Sequence, residues 1–187
     1  MDMILFLLLG AALTAALIYA KSRYFDFDAQ VPEDYGEGST QIDLREHLQG
    51  PIICEGIIYG PTGRVSSRFV ADFEAHWEGN VGVMKEHFRY DSGTTQNREW
   101  RLTLGNDGAI KADADDLVEP GTGMQRGSAV QLKYRIKLPV ISGGHVLDTV
   151  DWMYMVENGS IINKSQFRKY GIKVAELVAT MRRKDAA

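Results

Sequence analysis

At 187 residues the chain is long enough to bury the core of one domain, and its net charge of −4 gives nothing that points to nucleic acid. The single cysteine, Cys54, rules out an intrachain disulfide and any multi-cysteine metal site. The only basic cluster, Arg182-Arg183-Lys184, reads as a solvated chain end.

Met3 to Ala20 is an uncharged apolar run long enough to span a bilayer, followed by Lys21 and Arg23. A secretory signal wants its positive charge before the apolar run, and here position 2 is Asp, so an uncleaved single-pass anchor fits better than a cleaved signal. No cysteine stands near the end of the run to accept a lipid. Lys21 and Arg23 vote for a cytoplasmic domain, and Asp26 and Asp28 weaken that vote. The chain then divides into a membrane segment (1–22), a polar acidic tether (23–41) and a folded domain (42–184).

Within the domain, Ile42 to Leu48 reads as a short helix capped by Thr40 or Asp43 and stopped by Gly50. Pro51 to Tyr59 is a strand, and Cys54 within it reads as a small buried thiol. Gly60-Pro61-Thr62-Gly63 turns the chain into the stretch that sets the fold, Val65 to Asp91. Going in, apolar residues alternate at Phe69, Ala71, Phe73, Ala75 and Trp77; coming out they fall at Met84, Phe88 and Tyr90. A two-residue Gly79-Asn80 loop sets Phe73 opposite Glu86 and Ala75 opposite Met84. The same register faces Asp72 with His87, Glu74 with Lys85 and Arg68 with Asp91 on the outer side.

Further strands follow at 98–104, 110–114 and 129–138, the last alternating Val130, Leu132, Tyr134, Ile136 and Leu138 with polar residues. Val146 to Val156 leads into Asn158-Gly159, whose two-residue loop would pair Val150 with Phe167, Trp152 with Ser165 and Tyr154 with Asn163. Residues 172–181 fit either a closing strand or a terminal helix. The expected class is all-β, an antiparallel up-and-down barrel of about eight to ten strands behind one transmembrane helix. Closure disposes of exposed edges, and an interior of that size holds side chains or one small ligand.

Parity places Glu86, Arg98, Asp116, Asp148, Asn163 and Ser165 inside, among Trp77, Phe88, Tyr90, Trp100, Tyr134, Trp152 and Tyr154. Buried charges are costly unless paired, and Glu86 and Arg98 stand on adjacent strands of one face. They hold the polar head of an otherwise apolar ligand, or form a structural ion pair, or stand at the barrel's wet mouth. No Gly-x-Ser-x-Gly elbow occurs, the four histidines lack metal spacing, and no cofactor is implied. Met153 and Met155 read as outer-face packing.

The runs Trp77-Glu78-Gly79-Asn80-Val81-Gly82, Trp100-Arg101-Leu102, Ala114-Asp115-Asp116, Asp151-Trp152-Met153-Tyr154, Ile162-Asn163 and Tyr170-Gly171 resemble a family of small bacterial envelope proteins. That family has a domain of unknown function, commonly behind a lipoprotein signal. The resemblance covers roughly Ile42 to Arg182. It implies a lipocalin-like barrel, an envelope location and a Gram-negative source, and on its account the domain is placed in the periplasm, with the N-terminal segment in the inner membrane. Its members tend to be encoded near genes for membrane fatty-acid modification, which makes a lipid-related role the expectation. It implies no catalytic residues, and this chain lacks the lipid-accepting cysteine.

Three functions remain open. The first is a membrane-tethered barrel binding a fatty acid, lipid or other apolar ligand through Trp77, Glu86, Phe88, Tyr90, Arg98, Trp100, Tyr134, Trp152 and Tyr154. The second is a non-catalytic assembly factor with a filled barrel and a protein partner of unknown kind. The third is an enzyme on a lipid or quinone, with Glu86 or Asp116 as general base.

Overall fold

Ten antiparallel strands follow one another around a closed ring in the computed structural model, which describes residues 2–38 and 40–184. They are β1 (Gly50–Tyr59), β2 (Val65–Glu78), β3 (Val81–Tyr90), β4 (Thr95–Leu104), β5 (Ala109–Asp113), β6 (Gly121–Arg126), β7 (Ala129–Lys137), β8 (Val146–Met155), β9 (Ile161–Lys169) and β10 (Ile172–Arg183). Each strand pairs with the next in sequence, and β1 pairs with β10 to close the lipocalin-like barrel. Residues 172–183 are thus the closing strand; a helix there would leave β1 and β9 with unpaired edges. A helix α1 (Asp2–Tyr24) precedes the barrel, and its stretch Met3–Lys21 is long and apolar enough to cross a membrane.

The β2–β3 hairpin has the register its pattern dictates: Phe73 faces Glu86, Ala75 faces Met84 and Asp72 faces His87. Gly79 takes φ 59° while Asn80 stays negative, as a type II′ loop requires. Gly82 meets a different need: a Cβ there would lie 2.6 Å from the Trp77 ring.

The β8–β9 hairpin departs from expectation by one residue. Thr149 faces Phe167, Asp151 faces Ser165 and Met153 faces Asn163. The Val156 amide donates to Ser160 O at 3.0 Å, and Gly159 closes a bulge at φ 80°. The loop is therefore Glu157-Asn158-Gly159, three residues rather than two. A slip of one turns every side chain over. Asp151, Met153 and Met155 consequently point inward, whereas Asp148 points out to Arg135 at 3.3 Å. Trp152 and Tyr154 lie on the outer face.

That outer face is not bare, because residues expected as a tether cover it. Two short 3-10 turns, Phe27–Ala29 and Pro32–Tyr35, cross the outside of β7–β9. Tyr35 packs edge-on against Trp152 and Tyr154 at 5.3 and 5.4 Å. The Tyr154 hydroxyl donates to Gln30 at 2.8 Å, and Arg168 pairs with Asp28 at 2.7 Å. Trp152 is fully buried while standing outside the barrel.

The two ends of the barrel differ. At the end holding the β2–β3, β4–β5, β6–β7 and β8–β9 turns, helix α2 (Leu44–His47) forms a cork. Asp43 caps it by accepting from the Arg45 amide at 2.9 Å, and Ile42, Leu44 and Leu48 are buried beneath. Trp77 Nε1 donates to Leu48 O at 2.8 Å, and the Leu44 amide donates to Gln125 at 2.9 Å. At the opposite end the inward side chains Ile58, Phe88, Tyr90, Ile136 and Leu177 remain only half-buried. That end is the mouth.

Candidate functional site

Inward alternation on β3 and β4 sets Glu86 directly across from Arg98. Asp116, just past β5, reaches the same guanidinium. Arg98 donates to both Asp116 oxygens, from Nε at 2.6 Å and Nη2 at 2.9 Å, and its Nη1 stands 3.9 Å from Glu86 Oε2. The guanidinium also lies 4.2 Å from the centroid of the Trp100 ring, a cation–π contact. The fork-to-carboxylate geometry makes Asp116 the principal partner and Glu86 the looser one.

The opposite wall comes from β7, β8 and β9. Asp151 accepts from Ser165 Oγ at 2.7 Å and from Asn163 Nδ2, with the Tyr134 hydroxyl at 3.5 Å. Three carboxyl groups thus share the interior with one guanidinium. Burial, reinforced by the charges of Asp151 and Asp116, pushes Glu86 up to about 7 even though Arg98 pulls the other way. Burial also raises Asp151 above the usual carboxylate range, against the hydrogen bonds from Ser165 and Asn163. Burial alone would lower Arg98, but the Asp116 hydrogen bonds hold it above its ordinary value. Glu86 Oε2 is buried with no hydrogen-bond partner.

Between these walls lies a cavity of about 120 Å³, floored by Leu48 of the cork and lined by Phe73, Met84, Trp100, Leu132 and Met153 together with Glu86 and Asp151. Cys54 borders it, its thiol pushed well up by burial. A wider depression of about 800 Å³ lies along β2–β4 among Asp72, Glu74, Lys85, His87 and Lys184, and it also borders Glu86, Arg98 and Asp116. It is an open surface whose Asp72 is already paired with Arg89 and Lys184, whereas the inner cavity converges on Glu86 Oε2, which has no hydrogen-bond partner. Among the described residues no three His, Cys, Asp or Glu side chains are arranged to hold a metal.

A family model described as protein of unknown function (DUF3833) matches residues 24–183. The chain belongs to this family. The DUF3833 match begins at Tyr24, so it takes in the segment packed on the outer face as well as the barrel. No curated protein matches. Among solved structures, the S-type phycobiliprotein lyase CPES from Guillardia theta is similar, with TM-score 0.57 and 9% identity over 83% of this chain and 98% of that one. Rv2717c from M. tuberculosis is similar too, with TM-score 0.54 and 14% identity over 74% of this chain and 94% of that one. At such identities the likeness concerns the fold.

In this DUF3833 barrel, Glu86, Phe88, Arg98, Trp100 and Tyr134 of the nine expected ligand-site residues line the cavity. Tyr90 stands at the mouth, donating to Gln96 at 3.0 Å and stacked on Phe88. Trp77 does not belong to the chamber: its indole is spent on the cork and on Gly82. Trp152 and Tyr154 are displaced to the outside by the three-residue turn, where they bind the N-terminal segment. Sequence parity missed Asp151 and Met153, and it took Asp148 in their place. Arg135 faces out beside inward Tyr134, and Asp148 lies opposite it across the β7–β8 ladder, a pairing visible only once that register is known.

Proposed function

We propose that this chain is a membrane-tethered barrel that binds an apolar, lipid-type molecule by an end bearing a hydrogen-bond donor, in the bacterial envelope and on its periplasmic side. The observation that carries the reading is the chamber: an apolar hollow, closed at one end, aimed at a buried carboxyl oxygen without a hydrogen-bond partner. Its volume of about 120 Å³ is roughly that of four liquid waters and lies below the ~300–1,000 Å³ of sites that enclose a whole ligand. A ring or short chain end enters, and the remainder occupies the mouth among Phe88, Tyr90 and Ile136. Arg98 is already neutralised by Asp116, so no free cation awaits a carboxylate. Glu86 and Asp151 favour a hydroxyl or amine instead. The phycobiliprotein lyase neighbour is in keeping with a barrel of this fold that handles another molecule.

The test is tryptophan quenching in the full chain held in nanodiscs. A brominated long-chain alcohol should quench Trp100, and Trp100→Phe should remove that component while Trp77 and Trp152 keep theirs. Equal quenching in both proteins would sink the reading.

A second reading has one observation behind it. A carboxyl titrating near 7 beside an apolar hollow is suited to general acid–base work on the bound molecule. Mass spectrometry of recovered ligand before and after incubation decides: a ligand altered by the native chain and unaltered by Glu86→Gln favours an enzyme.

A further inference from the structure

Four side chains stand out of the mouth end with their apolar surface in water. Val140 and Ile141, in the β7–β8 connection, are 89% and 94% exposed; Tyr170 and Ile172, at the β9–β10 turn, are 90% and 70% exposed. The two connections are neighbours, and Lys169 Nζ lies 3.0 Å from His145 Nδ1 across them. Single exposed apolar residues need no explanation, but a cluster of this kind marks an interaction surface. The backbone presents it firmly. Ser142 donates to Pro139 O at 2.8 Å to form a 3-10 turn that lifts Val140 and Ile141, and Tyr170 holds φ 53°. A non-glycine residue at positive φ is uncommon. Cations surround the patch: Lys137 and Lys169 pair with no carboxylate among the described residues, and Lys173 is held by Glu176 at 3.2 Å.

A second observation comes from where the N-terminal helix is tied. Four residues beyond the end of α1, Asp28 grips Arg168, and Arg168 Nη1 in turn donates to Gly171 O at 3.3 Å, in the turn that carries Tyr170. From there the chain runs away to the corked end, where the Ser128 amide donates to Tyr35 O at 3.3 Å and the Ile42 amide to Gly127 O at 2.8 Å. The apolar helix therefore leaves the barrel from its mouth end. Exposed Tyr19, Tyr24 and Phe25, interleaved with Lys21 and Arg23, have the composition of a membrane–water boundary.

We propose that the mouth end rests on a bilayer carrying anionic headgroups. Val140, Ile141, Tyr170 and Ile172 dip into the lipid interface, and Lys137 and Lys169 lie against the headgroups. The chamber then opens toward lipid rather than toward bulk water. This inference rests on reading α1 as a membrane anchor, and the experiment separates the two.

The full chain is prepared with the buried Cys54 changed to Ala and a single cysteine introduced by Ile141→Cys, or by Asn158→Cys at the exposed turn of the corked end. Each is labelled with the fluorophore NBD and reconstituted into phosphatidylethanolamine–phosphatidylglycerol vesicles. The label at 141 should be blue-shifted and quenched several-fold more strongly by doxyl-lipid than the label at 158. Reversing Lys137 and Lys169 to Glu should weaken that quenching in these vesicles and leave it unchanged in neutral ones. A water-like, unquenched label at 141 in a chain that floats with the vesicles overturns the inference and leaves the anchor standing. A blue shift without lipid quenching overturns it in favour of a protein contact. A chain that does not float with the vesicles removes the anchor, and the inference with it.

Discussion

Arg98 turns to Asp116 rather than to Glu86: its two nitrogens reach the Asp116 oxygens at 2.6 and 2.9 Å and leave Glu86 at 3.9 Å. The buried acid opposite Arg98 in the β-ladder is therefore the one left short of a partner. Removing Asp116 should reverse this. In Asp116→Asn one repelling charge is gone and the guanidinium is free to turn to Glu86, so the Glu86 titration moves down from about 7. Carboxyl chemical shifts against pH measure it, and an unmoved titration would show that Asp116 does not govern Glu86. Arg98→Met should destabilise the barrel by about 3–5 kcal/mol, because it strands the carboxyls it compensates.

Glu86→Gln should stabilise the protein, and more so at high pH. Its folded pKa lies above its ordinary 4.5, so between about 4.5 and 7 the folded state keeps a proton that the unfolded state has lost. Stability falls as pH rises through that window, and the penalty is complete above it. At about 1.4 kcal/mol per pKa unit, the amide should gain on the order of 3 kcal/mol at pH 8 and almost nothing at pH 4. Urea melts at both pH values check the sign; an equal gain at both would place the effect in packing.

Leu44→Ala should loosen the cork. Leu44 is completely buried under the barrel end, and truncating such a side chain costs about 2–5 kcal/mol. Trp77→Phe keeps an aromatic ring, loses the hydrogen bond to Leu48 O, for about 1 kcal/mol, and trims the packing on Gly82. Denaturant midpoints of the two variants should differ in that order.

Tyr35→Ala should uncover Trp152 without opening the chamber. Trp152 has no exposure, and the Tyr35 ring is packed against it. Its emission should shift to the red while ligand quenching of Trp100 persists. A blue-shifted Trp152 in the variant would mean that other residues of the segment suffice to cover it.

The architecture was legible wherever one strand face was apolar and the other charged. In β2 and β3 alternation, turn and charges all specify one register, and the structure has it. β8 offered no such contrast, since Trp152 and Tyr154 make its outer face as apolar as its inner one. The register then rested on Asn158-Gly159 alone, and those two residues fit a three-residue loop with a bulge as readily as a two-residue one. The hidden partner of that outer face, residues 27–35, is polar and aperiodic, and it makes its contacts with strands more than a hundred residues away. The chamber's acid excess was half visible: Glu86, Arg98 and Asp116 follow from parity, whereas Asp151 depends on the slipped hairpin.

Because α2 stoppers one end, whatever goes in must come back out by the same door. A tube open at both ends could pass a molecule from one surface to another; a vessel stoppered at one end could not. On the proposed reading, uptake and release would share a single rim, the one opposite the cork.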